Sequence, residues 1–218
     1  MAGSESRRPL KVRDLTIMHR ISRWLSRRDI TPNQISLFSV VCALLAAACA
    51  ISLRDGDHAW LGWGAAFFIQ CRLLCNLFDG MVAVEGGKST PAGELFNDIP
   101  DRVADPIILV AAGYAITAVD WGSDIGWLAG LLAVMTAYVR TLATGIGAPT
   151  KFSGPMAKQH RMALMTLAFM LVPFEHYWSG TQSYVLLVAL IVIAVGCVLT
   201  VARRTRDSYN YLQNTVKE

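Results

Sequence analysis

"NLFDGMVAVEGGKSTPAGELFNDIPDRVAD", residues 76 to 105, sets four aspartates, two glutamates and two asparagines into a chain that is otherwise apolar over long stretches. The 218 residues are 54% hydrophobic and only 17% charged, with a mean hydropathy of +0.41. That balance is too apolar for an ordinary soluble domain and indicates a membrane protein. Runs of about 20 mostly apolar residues, the length a helix needs to cross the hydrocarbon core, recur on both sides of the acidic stretch. Six spans are predicted, at 33–53, 59–84, 93–119, 125–146, 162–177 and 183–201. The acidic stretch therefore covers the end of the second span, a link, and the start of the third.

The connectors "RDGDH", "DWGSD" and "EHYWSGTQ" are short, which makes neighbouring spans antiparallel. The expected fold is an all-α, six-transmembrane-helix bundle in a single membrane domain, 1–218, with a bundle over 30–203 and a cytoplasmic tail over 204–218. Residues 11–28, "KVRDLTIMHRISRWLSRR", place Leu15, Ile17, Met18, Ile21, Trp24 and Leu25 mostly on one face among basic residues. This pattern predicts an amphipathic helix lying in the membrane interface. Basic residues crowd the segment before the first span, and Lys88, Lys151, Lys158, Arg161, Arg203, Arg204, Arg206 and Lys217 follow on the same side. The three opposite connectors hold only Arg54, so both termini and the acidic stretch are expected on the cytoplasmic side.

The net charge of +4 then belongs to a rim facing anionic headgroups, and nucleic acid is not an expected partner. The N-terminus is polar and the first apolar run is of full spanning length, so no cleavable signal peptide is expected. Cys42, Cys49, Cys71, Cys75 and Cys197 all fall inside spans without a ligand or disulfide pattern and read as packing residues.

Ionisable groups inside spanning helices cost about 2.5 to 3.5 kcal/mol each on insertion scales, so they face polar cavities and mark functional sites. Asn76 and Asp79 are three apart on one helix, and Asn97, Asp101 and Asp105 follow at intervals of four on the next. Two helical arms thus offer oxygen atoms to one another across a link, "EGGKSTPA", rich in turn residues. Oxygen donors without His or Cys favour Mg²⁺ or Mn²⁺ over zinc. An ion or proton pathway and a structural polar network remain alternatives, although the spans without acids disfavour a through-pathway.

The spacing Asn76-x2-Asp79-Gly80-x2-Ala83-Val84-x8-Gly93-x3-Asn97-x3-Asp101 resembles the signature of the CDP-alcohol phosphatidyltransferase family, D-x2-D-G-x2-A-R-x8-G-x3-D-x3-D. "ITPNQIS" at the first span, Arg140 at the end of the fourth and "GPMAKQHR" before the fifth extend the resemblance over roughly residues 30 to 165. Three positions depart: Asn76 and Asn97 stand for aspartates, and Val84 for the arginine. The same pair of asparagines is found in a divergent bacterial branch, to which this chain is similar. At the signature positions four formal negatives become two, which lowers the expected metal affinity. Asp98 and Glu94 lie near enough in sequence to restore some charge, but Asp98 is rotated about 100° from Asn97.

The resemblance implies a transferase of the bacterial inner membrane. It takes a substituted phosphate group from a CDP-linked lipid, most simply CDP-diacylglycerol, and passes it to a small alcohol or alcohol phosphate, releasing CMP. It implies Mg²⁺ or Mn²⁺ held by Asn76, Asp79, Asn97 and Asp101, with Asp101 also the candidate base. It places the CDP moiety near Asn33, Gly80, Ala83 and Gly93, and an acceptor phosphate on Arg140, Lys158 and Arg161. A homodimer is the family default. The departures keep open a catalytically weakened or inactive paralogue that binds lipid or a partner protein.

Overall fold

In the computed structural model the described residues are 16–28, 30–56, 58–87, 92–150, 153–180 and 183–215, with the side chains of Glu85, Glu94 and Thr215 excepted. They form seven α-helices: α1 Thr16–Arg27, α2 Pro32–Ile51, α3 Leu61–Glu85, α4 Gly93–Ala115, α5 Gly122–Gly145, α6 Lys158–Ser179 and α7 Tyr184–Thr215. A short 3₁₀ turn, Ser52–Asp55, extends α2. No strand occurs among the described residues. The motif "ITPNQIS" sets the start of α2 by side-chain chemistry. Thr31 accepts from the Gln34 amide, the Gln34 side chain accepts from the Thr31 amide, and Pro32 occupies the first turn where no amide donor is needed.

Helices α2 to α7 close a ring in the spatial order α2, α4, α5, α7, α6, α3, and α4 also reaches across to α6 and α7. The core inside this ring is lined by small side chains, including Ala43, Ala46, Ala50, Ala65, Ala104, Ala112 and Ala129, together with Ile69, Phe169 and Leu190. Small residues let helix backbones approach, which matters where lipid gives no hydrophobic push between helices. The extreme case is α4 on α5. A Cβ on Gly126 would lie 2.9 Å from the Cα of Gly113, so only hydrogen fits between them. Large apolar side chains such as Leu37, Phe67, Leu131 and Val195 point outward and are exposed.

Four of these helices are long and apolar enough to cross a membrane: Pro32–Asp55, Leu61–Val84, Gly122–Gly145 and Tyr184–Asn214. The other two expected spans, in α4 and α6, fall short of that measure. Helix α4 carries Asp98, Asp101, Arg102 and Asp105 in its first half, and α6 carries Lys158, His160, Arg161, Glu175 and His176. Helix α7 continues to Thr215, well past the expected span end at 201, so most of the expected tail is its last turns. Helix α1 lies against α3, where Gly86 makes room: a Cβ there would meet the Ser26 hydroxyl at 2.6 Å. Ile17 and Trp24 of α1 are exposed, and residues 11–15 of the expected amphipathic segment lie outside the described residues, as do 88–91 of the link.

Candidate active site

Because the ring helices alternate in direction, the starts of α2, α4 and α6 meet the late turns of α3, α5 and α7 at one end. The charged residues gather there. Helix α4 presents a stripe of carboxylates, Asp98, Asp101 and Asp105, spaced three and four apart so that they share a face. Cations from the surrounding helices close on it. Arg72 of α3 is fully buried, and its Nη2 donates to Asp105 Oδ1 at 2.6 Å and to Asp101 Oδ1 at 3.1 Å. Asn76, one turn further along α3, donates from Nδ2 to the same Asp101 oxygen at 3.0 Å. Lys158 Nζ, from the first residue of α6, donates to Asp101 Oδ2. Arg161, one turn on, donates to Asp105 Oδ2 at 2.8 Å and to the Met156 carbonyl at 3.0 Å. Towards the mouth, Asp98 accepts from Arg102 at 2.7 Å and from Arg140 of α5 at 3.2 Å.

A second tier supports this clasp. The Thr136 hydroxyl accepts from Arg161 at 3.2 Å and donates to the Ala133 carbonyl, and the Thr136 carbonyl accepts from Arg204 of α7 at 2.6 Å. Arg204 Nε donates to the Ser153 carbonyl at 2.9 Å, pinning the segment that leads into α6. Two turns beyond Arg72 on the same face of α3, Asp79 is buried and accepts from the Ser36 hydroxyl of α2 at 2.6 Å. Its Oδ1 is buried without a hydrogen-bond partner. Burial lowers the pKa of the Lys158 ammonium from its ordinary value, and the neighbouring Asp101 carboxylate pulls in the other direction.

The residues expected to hold a metal are thus only partly brought together. Asn76 meets Asp101, while Asp79 turns to α2. Asn97 is exposed, and no hydrogen bond ties it to the other three. Among the described residues no group of three His, Cys, Asp or Glu side chains is placed to hold a metal ion. Asp101 and Asp105 pair with three side-chain cations, Arg72, Lys158 and Arg161, whereas none of these ion pairs includes Asp79, whose buried Oδ1 lacks a partner. A buried carboxylate oxygen left open in this way fits a bound cation, so of the four expected ligands Asp79 is the one the structure leaves available to a divalent ion.

Of the residues expected near the donor, Asn33 is half-buried one turn before Ser36, and Gly80 and Ala83 follow Asp79 on α3, both half-buried. Gly93 begins α4. Of the basic trio, Arg140, Lys158 and Arg161 each pair with a different aspartate of the α4 stripe. The sequence reading passed over Arg72, Ser36, Thr136 and the inward role of Arg204. A signal for Arg72 was present, since an arginine inside an apolar run four residues before Asn76 obeys the same cost argument as the carboxylates.

The profile of the CDP-alcohol phosphatidyltransferase family matches residues 29–202, and the chain belongs to that family. An uncharacterized CDP-alcohol phosphatidyltransferase class-I family protein 2 of Dictyostelium discoideum is 20% identical over 184 residues, 83% of this chain and 45% of the relative. The chain thus spans about half the length of that curated relative. Among solved structures, the Mycobacterium tuberculosis phosphatidylinositol phosphate synthase with CDP-DAG bound superposes with a TM-score of 0.71 at 18% identity, over 89% of this chain and 94% of that one. The same synthase in complex with manganese and citrate gives a TM-score of 0.70 at 18% identity, over 88% of each chain. The shared fold is the information these two carry.

Proposed function

We propose that this chain is a membrane transferase that moves a phosphatidyl group from a CDP-linked lipid, CDP-diacylglycerol in the simplest case, to a small alcohol or alcohol phosphate. The observation that carries the reading is Asp101. It stands at the last position of the family signature, buried and oriented by groups from two other helices. The acceptor hydroxyl oxygen bonds to the phosphorus that bears diacylglycerol. The bond from that phosphorus to the oxygen bridging it to the cytidylyl phosphate breaks, and CMP leaves with that oxygen. Asp101 takes the hydroxyl proton and later returns it to water. Fixed cations around the α4 stripe stabilise the charge that builds on the phosphoryl oxygens.

The rest of the reading follows the fold. Gly80, Ala83 and Gly93, with Asn33, flank the nucleotide, and Arg140 at the mouth takes an acceptor phosphate in exchange for Asp98. Helices α4 and α6 cross the bilayer with the other four because their charges pair with one another inside the ring. Helix α1 lies in the interface, the site faces the cytoplasm at a bacterial inner membrane, and the chain pairs as a homodimer.

Incubation of the purified full chain with CDP-diacylglycerol and a panel of alcohols and alcohol phosphates, scored by mass spectrometry of the lipid product, tests this. One acceptor yielding a new phospholipid supports it. Binding of CDP-diacylglycerol without product from any acceptor favours the second reading, a lipid-binding paralogue, for which the capped Asp101 oxygens are the specific observation.

A further inference from the structure

We infer that Ser36 is a positioning residue of this site: its hydroxyl holds one oxygen of Asp79 and leaves the other, Oδ1, as the oxygen offered to a divalent ion. This deepens the transferase reading above and rests on it, because the divalent ion belongs to the family reaction that reading assigns.

Three observations carry the inference. Ser36 and Asp79 are each only 3% exposed, so the 2.6 Å contact between Ser36 Oγ and Asp79 Oδ2 is closed to solvent. The hydroxyl has one proton and two acceptors in reach, the Pro32 carbonyl at 3.2 Å and Asp79 Oδ2 at 2.6 Å. The shorter contact, to a charged oxygen, is the stronger and takes the proton. Finally, Asp79 Oδ1 is buried without a hydrogen-bond partner, and none of the ion pairs around Asp101 and Asp105 includes Asp79. An open carboxylate oxygen in a buried place is costly, and a bound cation removes that cost.

A carboxylate turns about its last bond and presents either oxygen. With Oδ2 tied to α2 that rotation stops, and Oδ1 keeps one direction. The position of the hydroxyl is itself set by sequence, because the Thr31–Gln34 capping box and Pro32 fix where α2 begins. Asn33 stands three residues before Ser36 on the same face of α2, so the helix start that orients the ligand also carries the residue expected beside the nucleotide. Asn76 and Asn97 bring no charge to the signature positions, and an ion there leans the more heavily on Asp79 and on whatever holds it.

The test uses the full chain in phosphatidylcholine nanodiscs with CDP-diacylglycerol present and no acceptor. Mn²⁺ affinity is read from loss of the free-ion electron paramagnetic resonance signal, with empty nanodiscs as the blank. The unaltered chain takes up Mn²⁺ stoichiometrically, and Ser36→Ala weakens that uptake on the order of ten- to a hundredfold, the usual effect of losing a group that orients a metal ligand. Ser36→Thr keeps the hydroxyl and restores the affinity. Ser39→Ala is the control: it removes a buried hydroxyl of the same helix that bonds the Ser36 carbonyl rather than Asp79, and it leaves the affinity unchanged. A merely structural Ser36 would lower the melting temperature in EDTA and leave the Mn²⁺ affinity of the folded chain as it was. That result, or an equal loss from Ser39→Ala, overturns the inference and leaves the transferase reading standing. Should the alanine variant not fold, Ser36→Cys asks the same question, since a thiol donates only weakly, and unchanged Mn²⁺ affinity there overturns the inference equally. No Mn²⁺ uptake by the unaltered chain also overturns it, and the lipid-product assay above then decides the transferase reading separately.

Discussion

Replacing Arg72 by Met removes a fully buried cation that bridges two aspartates, and its cost can be worked from the contacts. Arg72 Nη2 holds Asp105 Oδ1 at 2.6 Å and Asp101 Oδ1 at 3.1 Å, with the arginine at 0% side-chain exposure and the carboxylates at 5% and 10%. Solvent cannot substitute for it, so no surface discount applies. Asp105 keeps Arg161, and Asp101 keeps Asn76 and Lys158, so the carboxylates are weakened rather than stripped. Breaking a buried pair from one side costs about 3 to 5 kcal/mol, and the surviving partners put the expected loss near the lower end, about 3 kcal/mol. For a chain of this size about 1 kcal/mol moves Tm by roughly 2 to 4 °C, which gives a fall of roughly 6 to 12 °C. Thermal unfolding in one detergent, followed by tryptophan fluorescence, measures it. The double variant Arg72→Met with Asp105→Asn removes charge of both signs and regains at least part of the loss, which isolates the coupling. A single variant melting within a degree or two of the parent, with no coupling in the cycle, would refute the buried clasp.

Asp101→Asn keeps the shape but cannot take a proton; it abolishes CMP release while circular dichroism shows the helices intact, and full activity would exclude the base role. Arg140→Ala raises the KM for a phosphorylated acceptor by roughly ten- to a hundredfold with the donor KM little changed, since it removes a charge-assisted contact. Equal losses for both substrates would move Arg140 to the donor or to the fold. Gly126→Val forces α4 and α5 apart at their closest approach and costs about 1 to 3 kcal/mol in thermal unfolding. Gly145→Ala on the same helix, where a Cβ meets nothing within 4 Å, serves as the control and costs nothing.

The helices were legible in the sequence because their signals are local: apolar run length, short connectors, and the Thr31 cap with Pro32 behind it. The α4 stripe was legible for the same reason, since intervals of three and four on one helix already put Asp101 and Asp105 on one face. What closes on that stripe was not legible. The partners of Asp101 come from α3 and α6, 29 and 57 residues away in sequence, and spacing within one helix says nothing about them. The reading of a metal centre rested on oxygen donors and on the resemblance to the family signature, and weighed no neighbouring cations. Arg72 was lost inside an apolar run, and the resemblance, which implies an acceptor phosphate on Lys158 and Arg161, says nothing of their pairing with Asp101 and Asp105. The end of α7 was misplaced because hydropathy falls at Arg203 while the helix continues through polar residues to Thr215.

The central claim is that the chain carries out the family's transfer with Asp101 as the base. Its most direct measurement is the rate of CMP release from CDP-diacylglycerol by the full chain in Mn²⁺, with the acceptor that gives product. The account predicts release by the unaltered chain and none by the Asp101→Asn variant. Equal rates from the two would contradict it.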